Sequence, residues 1–190
     1  MSGGRAIVPE GCDEREYARL LGYPWGQPLE GDVRERAIEA AGWYREHGRP
    51  RSYVRELAAP DGERLAVAVV SAGPEVEREI DRRWATDRVD EAYFLDRYAA
   101  AVVERLARAL GPHQSPGCGT RPFEHQQTLF AHVAPVAHDI EMLPSGMLKP
   151  RHSLLALVTP GAVDHGIPCH QCDLEGCGFR RGARPGRGAA

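Results

Sequence analysis

Three of the five cysteines in this 190-residue chain lie close together near its C-terminal end, as Cys169, Cys172 and Cys177. Thiolates this close in sequence, on a segment that contains glycine, can converge on one metal ion or iron–sulfur cluster. A Cys-x2-Cys pair alone also occurs in redox motifs. The third cysteine, with His165 and His170 nearby, favours a metal site. Three reduced thiols that pack a loop are the alternative interpretation.

A second candidate site is the segment 113–122, which is dense in glycine and proline and lies between two predicted helices. Gly117 and Gly119 allow the backbone to approach a ligand closely and expose its amide donors. The segment leads into a helix start, where the helix dipole favours a carboxylate or a phosphate. A simple connector has the same composition, so both interpretations stay open. Within it, Cys118 is predicted to be a small buried apolar residue rather than a nucleophile or a further metal ligand.

The elements that position these segments follow from apolar periodicity and from turn residues. Helices are predicted at 14–21, 32–47, from 74, 89–110 and 123–133, with Asp32 as the N-cap of the second. Strands are predicted at 51–57, 65–70, 140–143 and 153–159, and a hairpin turn at 61–62 joins the first two. This uneven order predicts an α+β fold in which helices pack on a largely antiparallel sheet.

The predicted core is apolar, and charged residues on the helices are expected to pair with one another. Trp25, Trp43 and Trp84 are assigned to the core, Trp84 in a stripe with Val76 and Ile80. Asp96 and Glu104 lie on the long helix, where they either line a ligand groove or pair with arginines such as Arg97 and Arg108. We expect the pairing, which is the usual state of charges on a surface helix. His125, His132 and His138 are expected to face solvent.

Length and charge limit the possible functions. The chain predicts one domain at 14–181, which includes a cysteine-rich segment at 165–181, with a flexible 1–13 and a disordered tail at 182–190. A net charge of −3 indicates neither nucleic acid nor an anionic membrane as partner. No apolar run is long enough to span a bilayer. An odd, clustered set of cysteines predicts a reducing cytoplasm.

Several weak motifs in one order make the chain similar to a known family. They read Ser115-Pro-Gly117-x-Gly119-x-x-Pro122, then Gln126 or Gln127 with Phe130, then Ser145-x-x-Leu148-x-Pro150-x-x-Ser153. This order resembles the activation domain of cobalamin-dependent methionine synthase. The ending Cys-x2-Cys-x4-Cys-x-Phe-Arg at 169–180 resembles that of short stand-alone relatives of the domain. The N-terminal half agrees through Arg19-Leu-Leu-Gly22-Tyr23, the strand-Gly73-helix passage, and Leu95-Asp96 with Glu104.

The resemblance implies a function. In that family the domain binds S-adenosylmethionine and presents its methyl group to a cobalamin in the inactive cob(II) state, while a flavodoxin-like donor supplies an electron. Such a protein positions and encloses the reactants and needs no acid–base pair. The resemblance therefore implies a cytoplasmic, stand-alone protein that supports reductive remethylation of a cobalamin-dependent methionine synthase or a related corrinoid methyltransferase. Cobalamin would sit on the partner protein.

The family signature for S-adenosylmethionine, Arg-x-x-x-Gly-Tyr, is altered in this chain. His113 stands at the arginine position, Gly117 is kept, and Cys118 replaces the tyrosine. The resemblance implies that these three residues and Gly119 form the binding segment. An arginine grips a carboxylate with two parallel hydrogen bonds, whereas a neutral histidine offers one donor. Cysteine also lacks the flat ring and the hydroxyl of tyrosine.

Two other functions remain open from the sequence. In the first, the three clustered cysteines hold a metal or an iron–sulfur cluster that relays an electron toward cobalt, without S-adenosylmethionine binding. In the second, the chain is a docking or chaperone subunit and the cysteines are structural zinc ligands.

Overall fold

A computed structural model describes residues 11–58, 64–118 and 122–160 of the chain. Its helices are α1 Glu14–Leu20, α2 Gly31–His47, α3 Pro74–Ala85, α4 Val89–Ala109 and α5 His125–Val133. Its strands are β1 Arg51–Leu57, β2 Leu65–Ser71, β3 His113–Gln114, β4 Glu141–Met142, β5 Leu148–Lys149 and β6 Ser153–Val158. The predicted turn at 61–62 lies outside the described residues.

The main sheet has four strands in the order β1-β2-β6-β3, and every neighbouring pair is antiparallel. The central strand β2 pairs along its whole length with β1, from Arg51 opposite Ser71 to Leu57 opposite Leu65. The short β3 pairs only with the C-terminal end of β6, with His113 opposite Val158 and Gln114 opposite Leu157. The predicted α+β class with an antiparallel sheet is confirmed.

Both faces of the sheet are covered, because alternate residues of a strand point to opposite sides. Val70 and Leu154 pack with α4 and its neighbouring helices. Val67, Val69 and Leu155 pack with α5 and with the small hairpin of β4 and β5. The strand β2 is therefore apolar from Leu65 to Val70, and only its last residue, Ser71, is polar.

The long helix α4 carries most of the helical core. Leu95, Ala99, Val102 and Leu106 are buried, as the apolar stripe predicts, while Leu110 at the C-cap is only partly buried. Tyrosine hydroxyls attach other segments to this layer at specific points. Tyr17 in α1 donates to the carbonyl of Phe94 at 2.9 Å, and Tyr44 in α2 donates to the carbonyl of Ala72 at 2.7 Å.

A buried ion-pair network joins α1 to α4. The Glu16 carboxylate is fully buried and lies 2.5 Å from Arg19 Nη2 and 2.7 Å from Arg108 Nη2. Asp13, which caps α1 through the amides of Arg15 and Glu16, lies 3.7 Å from the same Arg108. A carboxylate buried to this extent stays ionised only with such partners, so the network fixes where α1 sits on α4.

Some expectations about individual residues were wrong. Asp32 is not the N-cap of α2: the helix begins at Gly31, and Glu30, two residues before Asp32, takes the N-cap position without a side-chain cap hydrogen bond. Trp25 and Trp84 are 43% and 47% exposed and so are not core residues. In α3 the buried stripe is Val76 and Ile80, and Trp84 lies one turn beyond it on the exposed side.

The region after α4 also differs in detail from the prediction. His113 and Gln114, expected in a loop, form β3, since the antiparallel edge of β6 supplies hydrogen-bond partners that local sequence does not reveal. Lys149 and Leu148, expected in a turn, form β5 opposite β4. The helix α5 begins two residues later than predicted, at His125.

None of the helices in the described part of the chain is both long enough and apolar enough to cross a bilayer.

Replacing Gly73 by alanine is expected to lower the free energy of unfolding by about 3 kcal/mol. Gly73 precedes α3 with φ +99°, and an added Cβ would lie 2.5 Å from the carbonyl oxygen of Arg49 and 2.6 Å from Glu75 Oε2. Gly26→Ala is the matched control: its φ is +84°, but an added Cβ would meet no described atom within 4 Å. That variant should lose only about 1–2 kcal/mol. Equal losses in urea unfolding would contradict the packing argument.

Candidate functional site

The predicted binding segment forms a defined turn at the edge of the sheet. In residues 115–118 the amide of Cys118 donates to the carbonyl of Ser115 at 3.0 Å, and Gly117 has φ +81°. Proline at the second position and a glycine with positive φ at the third are the features of a type II turn. Pro116 is buried while Gly117 and Cys118 are exposed, so the turn presents its glycine to solvent.

His113 lies two residues before this turn, in β3, opposite Val158 of β6. Its Nδ1 is 3.3 Å from the carbonyl oxygen of Gly111. His113 borders an apolar crevice between the sheet and the end of α4 that is too narrow to hold a water molecule. Leu110, Ala107, Ala68 and Ala156 are among the other lining residues. The imidazole is therefore oriented toward α4 and the sheet, not along the turn.

Cys118 is exposed, so the prediction of a small buried apolar residue was wrong. The reason is the turn geometry: Pro116 takes the buried position, and the chain then turns outward at Gly117. Gly119, Cys169, Cys172 and Cys177 lie outside the described residues, so their roles stay predictions. Within the described ranges, no group of three or more histidine, cysteine, aspartate or glutamate side chains is placed to hold a metal ion.

Asp96 is paired, as predicted, but it has a second partner that the sequence did not suggest. Arg97 donates to its carboxylate, and His152 Nε2 lies 3.0 Å from its Oδ1. Burial raises the pKa of Asp96, but the hydrogen bond and charge of His152, together with Arg97, outweigh burial and hold the pKa below its ordinary value. The result is a carboxylate that stays ionised between α4 and the sheet.

His152 is the functional candidate that sequence reasoning missed. Only 9% of its side chain is exposed, and its Nδ1 is buried with no hydrogen-bond partner among the described atoms. Its backbone is equally constrained, since its carbonyl accepts hydrogen bonds from the amide of Ala72 and the hydroxyl of Ser71. No local signal marks it: the histidine precedes a strand, and its partner Asp96 lies far away in sequence.

Phe123 is the second residue that the sequence analysis left out. Its ring lies against Gly117 of the turn and against Gly146 of the loop between β4 and β5. Phe123 is 50% exposed, and Met147, next to Gly146, is 59% exposed. An aromatic residue directly after Pro122, at the start of a helix, is the only sequence signal that points to it.

The three exposed histidines at 125, 132 and 138 are confirmed as solvent-facing.

The structure is an α+β domain built on an antiparallel sheet. A helical layer covers one face of the sheet, a short helix covers the other, and an exposed glycine turn lies at the edge. No family model matches the chain, and no curated protein matches its sequence. A solved structure does match: the crystal structure of the MetH reactivation domain bound to AdoHcy, with a TM-score of 0.62 at 12% identity. The match covers 84% of this chain and 83% of that one. The expected activation-domain fold is thereby confirmed.

Acid is expected to destabilise the protein partly through Asp96. Its pKa is lower in the folded state than the value of about 3.9 in an unfolded chain. The ionised carboxylate therefore adds stability above pH 4, and that contribution is lost as the pH falls through the lowered pKa. Asp96→Asn should show a smaller drop in the free energy of unfolding between pH 6 and pH 3 than the unmodified protein.

The control for this measurement is Asp32→Asn, which removes an exposed carboxylate from the first turn of α2. This variant should keep the acid sensitivity of the unmodified chain. If Asp96→Asn loses stability with acid as steeply as the control, the pairing with His152 and Arg97 does not govern this part of the pH dependence.

Proposed function

We propose that this protein binds S-adenosylmethionine at the glycine turn 115–118 and supports reactivation of a corrinoid methyltransferase. The observation that carries the proposal is the likeness to the MetH reactivation domain over 84% of the chain, since that neighbour is a domain solved with AdoHcy. The order of motifs from Ser115 to Ser153 supports it independently of the coordinates. The partner we propose is a cobalamin-dependent methionine synthase or a related corrinoid protein, with a flavodoxin-like electron donor.

The backbone of the turn would hold the ligand. Positive φ at Gly117 leaves no side chain between the peptide and a bound molecule, and both Gly117 and Cys118 are exposed to it. The α5 helix starts a few residues later, and the partial positive charge at its N-terminus favours the carboxylate of an amino acid. The turn thus supplies close approach and hydrogen bonding rather than catalytic groups.

His113 would contribute less than the arginine at that position in the resembling family. The ring lies at the apolar crevice with Nδ1 near the Gly111 carbonyl, so at most one nitrogen remains for a ligand carboxylate. Loss of a bidentate guanidinium predicts weaker binding of the methionine portion than a family member with arginine would achieve. His113→Arg is therefore expected to lower the dissociation constant for S-adenosylmethionine in a calorimetric titration, and an unchanged constant would contradict this role of residue 113.

The chemistry would come from the ligand and the partner. S-adenosylmethionine supplies a methyl group on a sulfonium, and the corrinoid of the partner protein accepts it. The residues of this chain bind the ligand, orient it and exclude water from one side of it. No proton transfer is required of them, which is consistent with a site built from a turn and apolar surface.

Calorimetric titration with S-adenosylmethionine and with S-adenosylhomocysteine tests the proposal. Binding of both ligands is expected, and Gly117→Ala should weaken it roughly tenfold, because the added methyl group would occupy the space through which the ligand approaches the backbone of the turn. The added Cβ would lie 3.5 Å from Phe123, an ordinary contact, so the fold should survive. Gly26→Ala, which also has a positive φ but lies far along the chain from the turn, is the control and should bind normally. Absence of heat with the unmodified protein at high micromolar ligand would refute the proposal.

A metal function is the second candidate, and the spacing of Cys169, Cys172 and Cys177 is the observation that favours it. Protein purified without oxygen is expected to contain zinc or iron, and replacing all three cysteines by serine should abolish the metal while the apolar core stays folded. Metal analysis with far-ultraviolet circular dichroism measures both. Iron with a visible cluster spectrum would favour electron relay toward cobalt, and zinc would favour a structural site. A metal-free, colourless preparation would eliminate this candidate.

A further inference from the structure

Phe123 lies in a position that is unusual for a large apolar side chain. Half of it is exposed, yet its ring contacts two glycines with positive φ, Gly117 at +81° and Gly146 at +84°. A Cβ built on Gly146 would lie 2.7 Å from Phe123 Cζ, and one built on Gly117 would lie 3.5 Å from Phe123 Cδ2. The absence of a side chain at Gly146 therefore makes room for the ring, which also contacts Gly117.

The loop under the ring is held by several hydrogen bonds. The Gln126 side chain donates to the carbonyl of Gly146. The amide of Gly146 donates to the carbonyl of Leu143 at 2.8 Å, and the amide of Leu143 donates to the carbonyl of Met147 at 2.8 Å. Gly146 itself is buried. The ring thus rests on a firm support, with its remaining surface directed to solvent beside the candidate binding turn.

A flat apolar surface next to an exposed glycine turn matches a ligand that has a planar ring at one end and polar groups at the other. We infer that Phe123 forms the aromatic wall of the site and stacks on the adenine of the bound S-adenosyl compound. The inference rests on the proposed function and names which part of the ligand this chain recognises through a side chain. The inference also explains how the site could do without an aromatic ring at Cys118, where the resembling family has tyrosine, because Phe123 supplies a ring five residues later.

The chemistry of the stack explains why a phenyl ring suits this position. Adenine has a large π-face that stacks on any aromatic side chain without requiring a particular hydrogen-bond pattern, and such a stack stabilises binding by about 1–3 kcal/mol per base. The exposed Met147 adds polarisable apolar surface beside the ring. The turn at Gly117 then lies near the sugar or amino-acid portion, where close approach of a backbone is useful.

The test compares three replacements of Phe123 in the full chain. Phe123→Tyr keeps the flat ring, Phe123→Leu keeps apolar volume against the two glycines without a π-face, and Phe123→Ala removes both. We expect Phe123→Tyr to bind S-adenosylhomocysteine within about twofold of the unmodified protein, and Phe123→Leu to bind it roughly tenfold more weakly. If the alanine variant is unstable, the affinities of the tyrosine and leucine variants for S-adenosylhomocysteine are still sufficient for the test.

Two further readouts separate stacking from a structural role. Binding to the unmodified protein should lower the absorbance of the adenine band, and Phe123→Leu should remove that change while its thermal midpoint stays near that of Phe123→Tyr. Methylthioadenosine, which lacks the amino-acid portion, should show the same loss of affinity in Phe123→Leu.

The outcomes distinguish this inference from the proposed function. If the unmodified protein binds S-adenosylhomocysteine and Phe123→Leu binds it equally well, the stacking role is overturned and the proposed function stands. Such a result would leave the exposed ring as a contact for a protein partner. If the unmodified protein binds neither S-adenosyl ligand, the proposed function and this inference fail together.

Discussion

Burial of β2 on both faces is the constraint from which the rest of the structure follows. A strand that is hidden from water on both sides cannot alternate polar and apolar residues, and it must lie at the centre of a sheet with cover above and below. The strand meets this requirement with alanine and valine, which are small enough to let α4 approach on one side and α5 on the other. The pairing of β6 with β2 then brings His152, at the start of β6, against α4.

The buried polar groups of this structure fix the relative positions of the segments that they join. Three such contacts join segments that the apolar core alone would allow to slide past one another. They are Glu16 with Arg19 and Arg108, Tyr44 with the Ala72 carbonyl, and Asp96 with His152. An apolar contact is stabilising over a range of positions, whereas a buried carboxylate or hydroxyl is stabilised only when its partner is within hydrogen-bond distance. These contacts fix α1 on α4, α2 on the end of β2, and α4 on the segment that precedes β6.

The candidate site is an edge feature of this framework and contains little conventional catalytic machinery. It consists of a type II turn, an exposed phenyl ring on a seat of two glycines, and an imidazole turned toward an apolar crevice. Such a site is suited to holding a ligand in a defined orientation while another protein approaches from the open side. In the proposed binding mode, the aromatic contact of Phe123 would compensate for the weaker grip of His113 on the carboxylate of the ligand.

By itself the sequence determined the three longer strands, the long helix and the fold class, because these depend on periodicity and on glycine and proline residues that act over a short stretch of chain. It also located the glycine turn, although its expectation for Cys118 was wrong, since exposure depends on how the turn is seated on β6. Only the tertiary structure decided that His152 meets Asp96, that Trp25 and Trp84 lie at the surface, and that Phe123 packs on Gly117 and Gly146. The contact of His152 with Asp96 and that of Phe123 with the two glycines join residues from different elements, and the exposure of the tryptophans depends on which elements pack together. Such contacts stabilise the protein only once the folded chain has brought both partners together.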